Sequence, residues 1–137
     1  MLALAAEELG QIARAIKEAG AAAATPAGRL RARVHATRQA VAARPAQARL
    51  AGRLLATSRE DMPEDIDRLV NGRLIAALQS LTVPLRDQTR LAPDEAHGET
   101  MILAALMIGL GLLEQTGRLD LLGFSADALL DRHLARL

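Results

Sequence analysis

Apolar residues recur at helical spacing along several segments of this chain. The clearest stripe lies in Asp61–Thr82, where large aliphatic residues return every three or four positions. Its start fits a capping box, in which Asp61 accepts from a first-turn N–H and Glu64 reaches back to the Asp61 N–H. Pro84 is expected to close the helix because proline lacks the backbone donor. The residues that follow, Leu85–Ala92, are predicted to form a polar connector.

The most hydrophobic segment is Pro93–Gln115. Its apolar run from Met101 to Leu113 has 13 residues, fewer than the roughly 18 that suggest a membrane span. The apolar residues lie all round the helix, which predicts that the rest of the fold encloses it on most sides. Gly109 and Gly111 each cost about 1 kcal/mol relative to alanine in a helix interior. Close approach of another backbone, from this chain or from a second copy, would account for both glycines.

Turn and capping signals divide the C-terminal residues. Gly117 is well placed as a left-handed residue after the hydrophobic helix. Arg118–Gly123 is predicted to form a turn or a short helix. Ser125 can cap a last helix over Ala126–Leu137, which carries a stripe of leucines.

The N-terminal part has weaker apolar stripes, rich in alanine and arginine. Three helices are predicted here: Leu2 to about Ala24, Gly28–Arg44 and Ala46–Thr57. Between the first two, either Thr25 caps the second helix with Pro26 at its first position, or Gly28 ends a loop just before it. Pro45 marks either the end of the second helix or a kink in one long bent helix.

The composition supports a wholly helical chain. Phe124 is the only aromatic residue, and β-branched strand formers are scarce. We therefore predict an all-α fold of one domain, 1–137: a compact bundle of five or six helices around the central helix at about 93–115. Residues 61–137 would form the hydrophobic core. The Ala/Arg-rich helices of residues 1–58 would lie outside it or extend as an arm.

Charge is separated along the sequence although the net charge is only +1. Eight arginines and no acidic residue lie between Arg29 and Arg59. The next forty positions, Glu60 to Glu99, carry nine acidic residues and four arginines. The basic block could face this acidic segment, a second subunit or an external polyanion, and the acidic segment is its natural complement within one fold.

Helical spacing places pairs of these arginines on shared faces. We predict an electrostatic docking face made of Arg31, Arg38, Arg49 and Arg53. Dispersion contacts from neighbouring apolar side chains would add to it, namely Leu30, Val34, Leu50 and Leu54. An exposed charge pair contributes only about 0–1 kcal/mol, so such a face would act mainly on orientation and association rate.

No residue is predicted to be catalytic, to ligate a metal or to bind a cofactor. The chain has no cysteine and no Gly-x-Ser-x-Gly turn. In the cluster of Asp94, Glu95, His97 and Glu99, His97 lies about 160° away from Glu95 and Glu99 on the helix, so these three side chains cannot converge on one ion without a partner from elsewhere. The lack of cysteine, and of a positively charged segment at the N-terminus, favours a cytoplasmic protein.

The sequence thus predicts a small cytoplasmic, non-enzymatic interaction protein: an adaptor, regulator or assembly component. It would act on a protein partner or on itself, most simply as a homodimer. The alternative is a nucleic-acid-associated protein that uses the Arg29–Arg59 block on phosphates. A second alternative is a small-molecule sensor or enzyme with a pocket beside the central helix.

Overall fold

The computed structural model describes residues 2–137, except for the side chains of four residues close to the N-terminus. This part of the chain is 82% helical and has no strand, so the predicted all-α fold is confirmed. The elements are α1 (Leu2–Glu18), α2 (Pro26–Ala43), α3 (Pro45–Ala56), a 3-10 turn (Arg59–Asp61), α4 (Glu64–Thr89), α5 (Pro93–Gln115), α6 (Arg118–Leu121) and α7 (Ala126–Leu134).

The junction between α1 and α2 follows the first of the two predicted alternatives. Thr25 is the N-cap of α2, and its hydroxyl accepts a hydrogen bond of 3.1 Å from the Gly28 N–H. Helix α1 ends earlier than predicted, at Glu18, and Gly20 adopts a left-handed φ of 75°. A side chain at Gly20 would lie about 3.0 Å from the Arg29 carbonyl oxygen, so the turn also depends on glycine for space.

Arg44 separates α2 from α3. Its φ of −136° and ψ of 67° are not helical, as expected for a residue that precedes a proline. Pro45 then starts α3, where its missing N–H leaves no gap in the hydrogen bonding. Of the two predicted alternatives, the chain therefore adopts an ended helix and not one long bent helix.

The predicted capping box at the start of α4 is wrong. Asp61 belongs to the 3-10 turn, and the N-cap is Pro63, which makes no side-chain capping bond. The acids of the first turn, including Glu64 and Asp67, still lie at the positive end of the helix dipole. The electrostatic part of the sequence signal therefore holds, although the hydrogen-bonding part does not.

The predicted end of α4 is also wrong. The helix continues through Pro84 to Thr89 and ends at Arg90, which has a left-handed φ of 57°. Leu85, expected in a polar connector, is fully buried. The proline is tolerated because Arg33 of α2 donates to the Ser80 carbonyl, the acceptor that an N–H at position 84 would otherwise bind.

Helix α4 connects the two halves of the molecule, because it packs against α1, α2 and α5. The alternative of an extended N-terminal arm is therefore excluded. Leu30 and Val34 of α2 are buried in the same core cluster as Leu103 of α5 and Leu130 of α7. A second, smaller cluster joins α3, the segment after it and α4 through Leu54, Met62 and Val70.

Helix α5 has the predicted bounds but is not enclosed on most sides. It packs against α4, α6 and α7. The face with Ala96, Thr100, Leu103 and Leu110 is buried, while the opposite face is exposed. The correction has a physical reason: helices cover α5 on one side only, and an apolar residue on the other side has nothing to pack against.

The C-terminal capping signals behave as predicted. Gly117 follows α5 with a left-handed φ of 74° and α6 begins directly after it. Ser125 caps α7 and accepts from the Ala128 N–H at 3.4 Å. The last helix ends at Leu134, a few residues before its predicted end.

Candidate docking surfaces

Arg31 and Arg38 of the predicted docking face are held by acids of the same chain. The Arg31 guanidinium makes two bonds to the Asp131 carboxylate, at 3.2 and 3.3 Å. Arg38 donates to Glu114 at 2.7 Å and to Asp127 at 3.1 Å, and its side chain is only 12% exposed. Both arginines therefore bind α2 to the C-terminal helices.

His35 lies between these two arginines on α2 and joins the same cluster. Its Nε2 is 3.0 Å from an oxygen of Asp131, and its Nδ1 is 3.9 Å from an oxygen of Asp127. The bond from Arg31, followed by that from His35, lowers the pKa of Asp131 from its ordinary value. Burial opposes the charge of Arg38, but the bonds from Glu114 and Asp127 outweigh it and raise the pKa of Arg38.

The acidic segment Glu60–Glu99 is not the main partner of the basic block. The acids that bind Arg31 and Arg38 of α2 follow this segment in the sequence, on α5 and α7. Arg44 pairs with Glu8 of α1, which precedes the segment. Among the residues that the structure describes, Arg59 is the one arginine of the block with an acid partner in the predicted segment, Asp67 at 3.0 Å. The charge pattern along the sequence therefore predicted the wrong acidic partners, because ion pairing depends on which helices pack together.

Arg49 and Arg53, the other two predicted docking arginines, lie exposed on α3. In the described part of the chain neither makes an ion pair or a side-chain hydrogen bond. They are four residues apart and share a helix face. Of the four predicted docking arginines, Arg38 is therefore nearly buried, Arg31 is paired but 63% exposed, and Arg49 and Arg53 are exposed without a partner in the described residues.

Three of the four predicted apolar docking residues are interior residues. Leu30, Val34 and Leu54 are at most 2% exposed and pack within the chain's own core. Leu50 is half-buried against the smaller cluster around Leu54 and Met62. The prediction that Leu30, Val34 and Leu54 contact a partner is therefore wrong, since the fold already covers them.

A group of exposed large apolar side chains lies elsewhere, on the face of α5 opposite its buried residues. Met101, Ile102, Ile108 and Leu112 are between 54% and 63% exposed. They share this face with Gly98, Ala105 and Gly109, which are also exposed. We call these seven residues the α5 face. Single exposed apolar residues are ordinary on a soluble protein, whereas a contiguous group is characteristic of an interaction site.

The exposed apolar surface continues in the residues after α5. Leu121, Leu122 and Phe124 are between 56% and 83% exposed, although Leu119 between them and α5 is buried. The sequence signal for this surface was the all-round apolar pattern of α5. That pattern is equally compatible with an enclosed helix and with a helix covered on one side only.

The described surface includes at least two clefts. One, of about 400 Å³, lies between α1 and the α2–α3 junction and is lined by Glu8, Gln11, Arg14 and Arg44 among others. The other, of about 240 Å³, lies beside the C-terminal end of α5, next to Gly111. Ligand sites usually occupy about 300–1,000 Å³. The cleft beside α5 is small on that scale, and Arg38 and Glu114 in its wall are paired with each other.

No group of three or more His, Asp or Glu side chains in residues 2–137 is arranged to hold a metal ion. Helix α5 is long and apolar enough to cross a membrane by length and composition, with a mean hydropathy of 1.6 over its most apolar window, of which 22% is buried. Core helices of soluble proteins also meet this criterion, although such helices are mostly buried, unlike this window of α5. Comparisons of the chain with protein-family models, with curated proteins and with solved structures give no match.

Proposed function

We propose that this chain is a small non-enzymatic interaction protein (an adaptor, regulator or assembly component) that works in the cytoplasm and binds through the α5 face. The observation that carries the proposal is the exposure of Met101, Ile102, Ile108 and Leu112 on one side of a well-formed helix. Burying a fully exposed large apolar side chain contributes about 1.5–3 kcal/mol, and for these partly covered side chains roughly half of that is left unrealised. A protein partner would recover that free energy.

The α5 face suits a protein surface better than an anionic membrane surface. Helices that lie on membranes carry Lys and Arg along their polar face. In α5, from Pro93 to Gln115, there is no Lys or Arg, and the first turn carries Asp94 and Glu95. The exposed arginines of α3 remain available to adjust the orientation and rate of docking.

A pair of matched variants tests this function. Ile108→Lys places a charge in the α5 face, and Leu4→Lys places the same charge at a residue of similar exposure, 57%, on α1. Tagged full-length chains of both variants and of the wild type are compared by quantitative affinity capture from the source cells, with a second, differently tagged copy expressed alongside. We expect at least one protein, or the second copy, to be retained by Leu4→Lys and lost by Ile108→Lys. Identical capture by all three chains would sink the proposal.

Nucleic-acid binding through the Arg29–Arg59 block is the weaker candidate, since five of these eight arginines already bond to groups of the same chain, although Arg31, Arg44 and Arg59 stay more than half exposed. The observation that favours nucleic-acid binding is the exposure of Arg49 and Arg53. Each phosphate that a protein neutralises on duplex DNA contributes a slope of about −0.9 to the plot of log K against log salt. A slope of about −2 or shallower for a random duplex would match these two arginines alone. No binding at about 50 mM salt would retire this alternative.

A further inference from the structure

The occupant of the α5 face follows from its arrangement about Ala105. We propose that the face binds a second copy of itself, with the two α5 helices antiparallel and the two-fold axis at Ala105. This inference rests on the proposed function, because it uses the same surface and adds the identity and orientation of the partner. In a two-fold contact the same patch is used by both chains, so it must be complementary to itself.

Self-complementarity can be read from the spacing of small and large residues. Gly98 and Leu112 are equally far from Ala105 along the helix, on opposite sides of it. Met101 and Gly109 form a second such pair. An antiparallel helix centred on Ala105 therefore places each glycine at the same level as a large side chain of the other copy. Ile102 is likewise level with the other copy's Ile108, and Ala105 with its equivalent, which allows the backbones to approach closely.

The two glycines are open on the chain's own side. A Cβ added at Gly98 or Gly109 would meet nothing within 4 Å. Close packing inside the chain therefore does not explain either of them, although each weakens the helix by about 1 kcal/mol relative to alanine. In the proposed dimer the missing side chains leave room for Leu112 and Met101 of the other copy.

Charge favours the antiparallel orientation. The acidic first turn of α5, with Asp94 and Glu95, would lie near the C-terminal end of the other helix, where α6 carries one exposed residue of each sign, Arg118 and Asp120. A parallel pair would instead bring the acids of both copies together, which is unfavourable. Antiparallel packing also sets opposite ends of the two helix dipoles side by side.

Exposed apolar side chains form the centre of the proposed contact. Four large side chains of α5 are 54–63% exposed, and Leu121, Leu122 and Phe124 in the residues that follow are 56–83% exposed. A specific interface uses roughly 800 Å² per partner, so the proposed dimer would bury the α5 face together with the surface around it. The middle of the α5 face, from Met101 to Leu112, contains no charged residue, as in the buried centre of a protein interface.

Single-cysteine cross-linking tests the arrangement, because the chain has no cysteine of its own. Ala105→Cys should form a disulfide-linked dimer on mild oxidation, since the two residues meet at the axis and a disulfide requires Cα atoms about 4.4–6.8 Å apart. Gly98→Cys alone should not, because its two copies would lie about 21 Å apart along the helices. A mixture of Gly98→Cys and Leu112→Cys chains should give the mixed dimer. Ser58→Cys, an exposed position in the turn before the 3-10 segment, measures random collisions.

Each outcome of this test decides the inference. Self-linking of Gly98→Cys as efficient as that of Ala105→Cys would show a parallel pair and overturn the arrangement. Ala105→Cys dimers no more frequent than Ser58→Cys dimers would exclude the proposed axis.

Sedimentation of the wild type separates this inference from the proposed function. We expect a dimer at micromolar concentration, with Ile108→Lys weakening it by about tenfold or more because it buries a charge, and Leu4→Lys leaving it unchanged. A monomer at all concentrations would overturn the second copy as occupant. The proposed function would still stand after that result if Ile108→Lys failed to capture a protein, other than this chain, that the wild type and Leu4→Lys retain. Binding of the monomer to phosphatidylcholine vesicles through the same face would overturn both.

Discussion

Arg33 donates a hydrogen bond of 2.5 Å to the carbonyl oxygen of Ser80, four residues before Pro84 in α4. In a regular helix that carbonyl would accept from the N–H at position 84, which proline lacks. The same guanidinium also donates to the carbonyls of Lys17 and Ala19 at the end of α1. Burial, followed by the charge of Arg29, lowers the pKa of Arg33, yet a guanidinium stays protonated at neutral pH.

Arg33→Met should therefore lower the free energy of unfolding by about 2–3 kcal/mol, since it leaves part-buried carbonyls without a donor. Pro84→Ala restores a backbone N–H to Ser80, so the cost of Arg33→Met should fall by about 1 kcal/mol in that background. Denaturant unfolding of the four proteins in the cycle gives the coupling. Strictly additive costs would mean that Arg33 does not compensate for Pro84.

A buried pair of hydroxyl groups joins α4 to α5. The Thr82 and Thr100 oxygens lie 2.8 Å apart, and Thr100 also lies 2.8 Å from the Ala96 carbonyl oxygen. Thr100→Val should cost about 1–2 kcal/mol, because it removes a buried partner of Thr82. Replacing both threonines by valine should cost less than the sum of the single changes. Additive unfolding free energies for the two variants would contradict the pairing.

The sequence predicts where the helices of this fold lie better than it predicts which helices contact each other. Helical spacing and capping residues such as Thr25 and Ser125 are local signals, and the structure confirms them. Pro84 gave the wrong helix end because the compensating bond to Ser80 comes from Arg33 of another helix, 47 residues before Ser80 along the chain. Local rules have no access to such a contact.

The candidate site shows the same limit. Leu30 and Val34 lie in a weak apolar stripe, and only the packing of α2 on α4 reveals that the core includes them. In α5 the opposite error occurs, because apolar residues on every side do not say which sides are covered. The arginine block was recognised correctly, but its partners Glu114, Asp127 and Asp131 depend on the tertiary fold.

Arg38 should contribute to stability and Arg49 should not. Arg38 is nearly buried and bridges α2 to Glu114 and Asp127, whereas Arg49 is exposed on α3 without an ion pair in the described residues. Arg38→Ala should lower the unfolding free energy by about 1–2 kcal/mol through lost hydrogen bonds and lost packing of its aliphatic stem. Arg49→Ala should change it by less than about 0.5 kcal/mol. Equal effects would contradict the assignment of Arg38 to the interior of the fold.

Acid should weaken the contact between α2 and α7 through Asp131. Its pKa is lower in the folded chain than in the unfolded chain, because the bonds from Arg31 and then His35 stabilise the carboxylate. A lowered folded pKa adds stability above the unfolded value of about 3.9. That stability is lost as pH falls through the folded value.

The check compares the wild type with Asp131→Asn by denaturant unfolding between neutral pH and about pH 3. The wild type should be the more stable at neutral pH, and the difference should shrink below about pH 4. Asp127, which faces His35, and Arg38, which binds Asp127, are the same in both proteins, so their titration does not contribute directly to the difference. A difference that is constant with pH would show that the Asp131 charge does not contribute.

Glycine substitutions separate the stability of the helix from the assembly of the dimer. Gly109 of the α5 face and Gly72 of α4 are both exposed within a helix, and a Cβ at either would meet nothing within 4 Å. Changing either one to alanine should stabilise the monomer by up to about 1 kcal/mol, since glycine is the poorer helix former. Leucine should also be tolerated at both positions in the monomer, because the space around each is open.

At Gly109, however, a leucine would occupy the space level with Met101 of the other copy, so Gly109→Leu should weaken the dimer while Gly72→Leu leaves it intact. Denaturant unfolding at concentrations below the dimer dissociation constant measures the stability of the monomer, and sedimentation measures the dimer. A Gly109→Leu chain that dimerises like the wild type would show that no second backbone approaches α5 at this position.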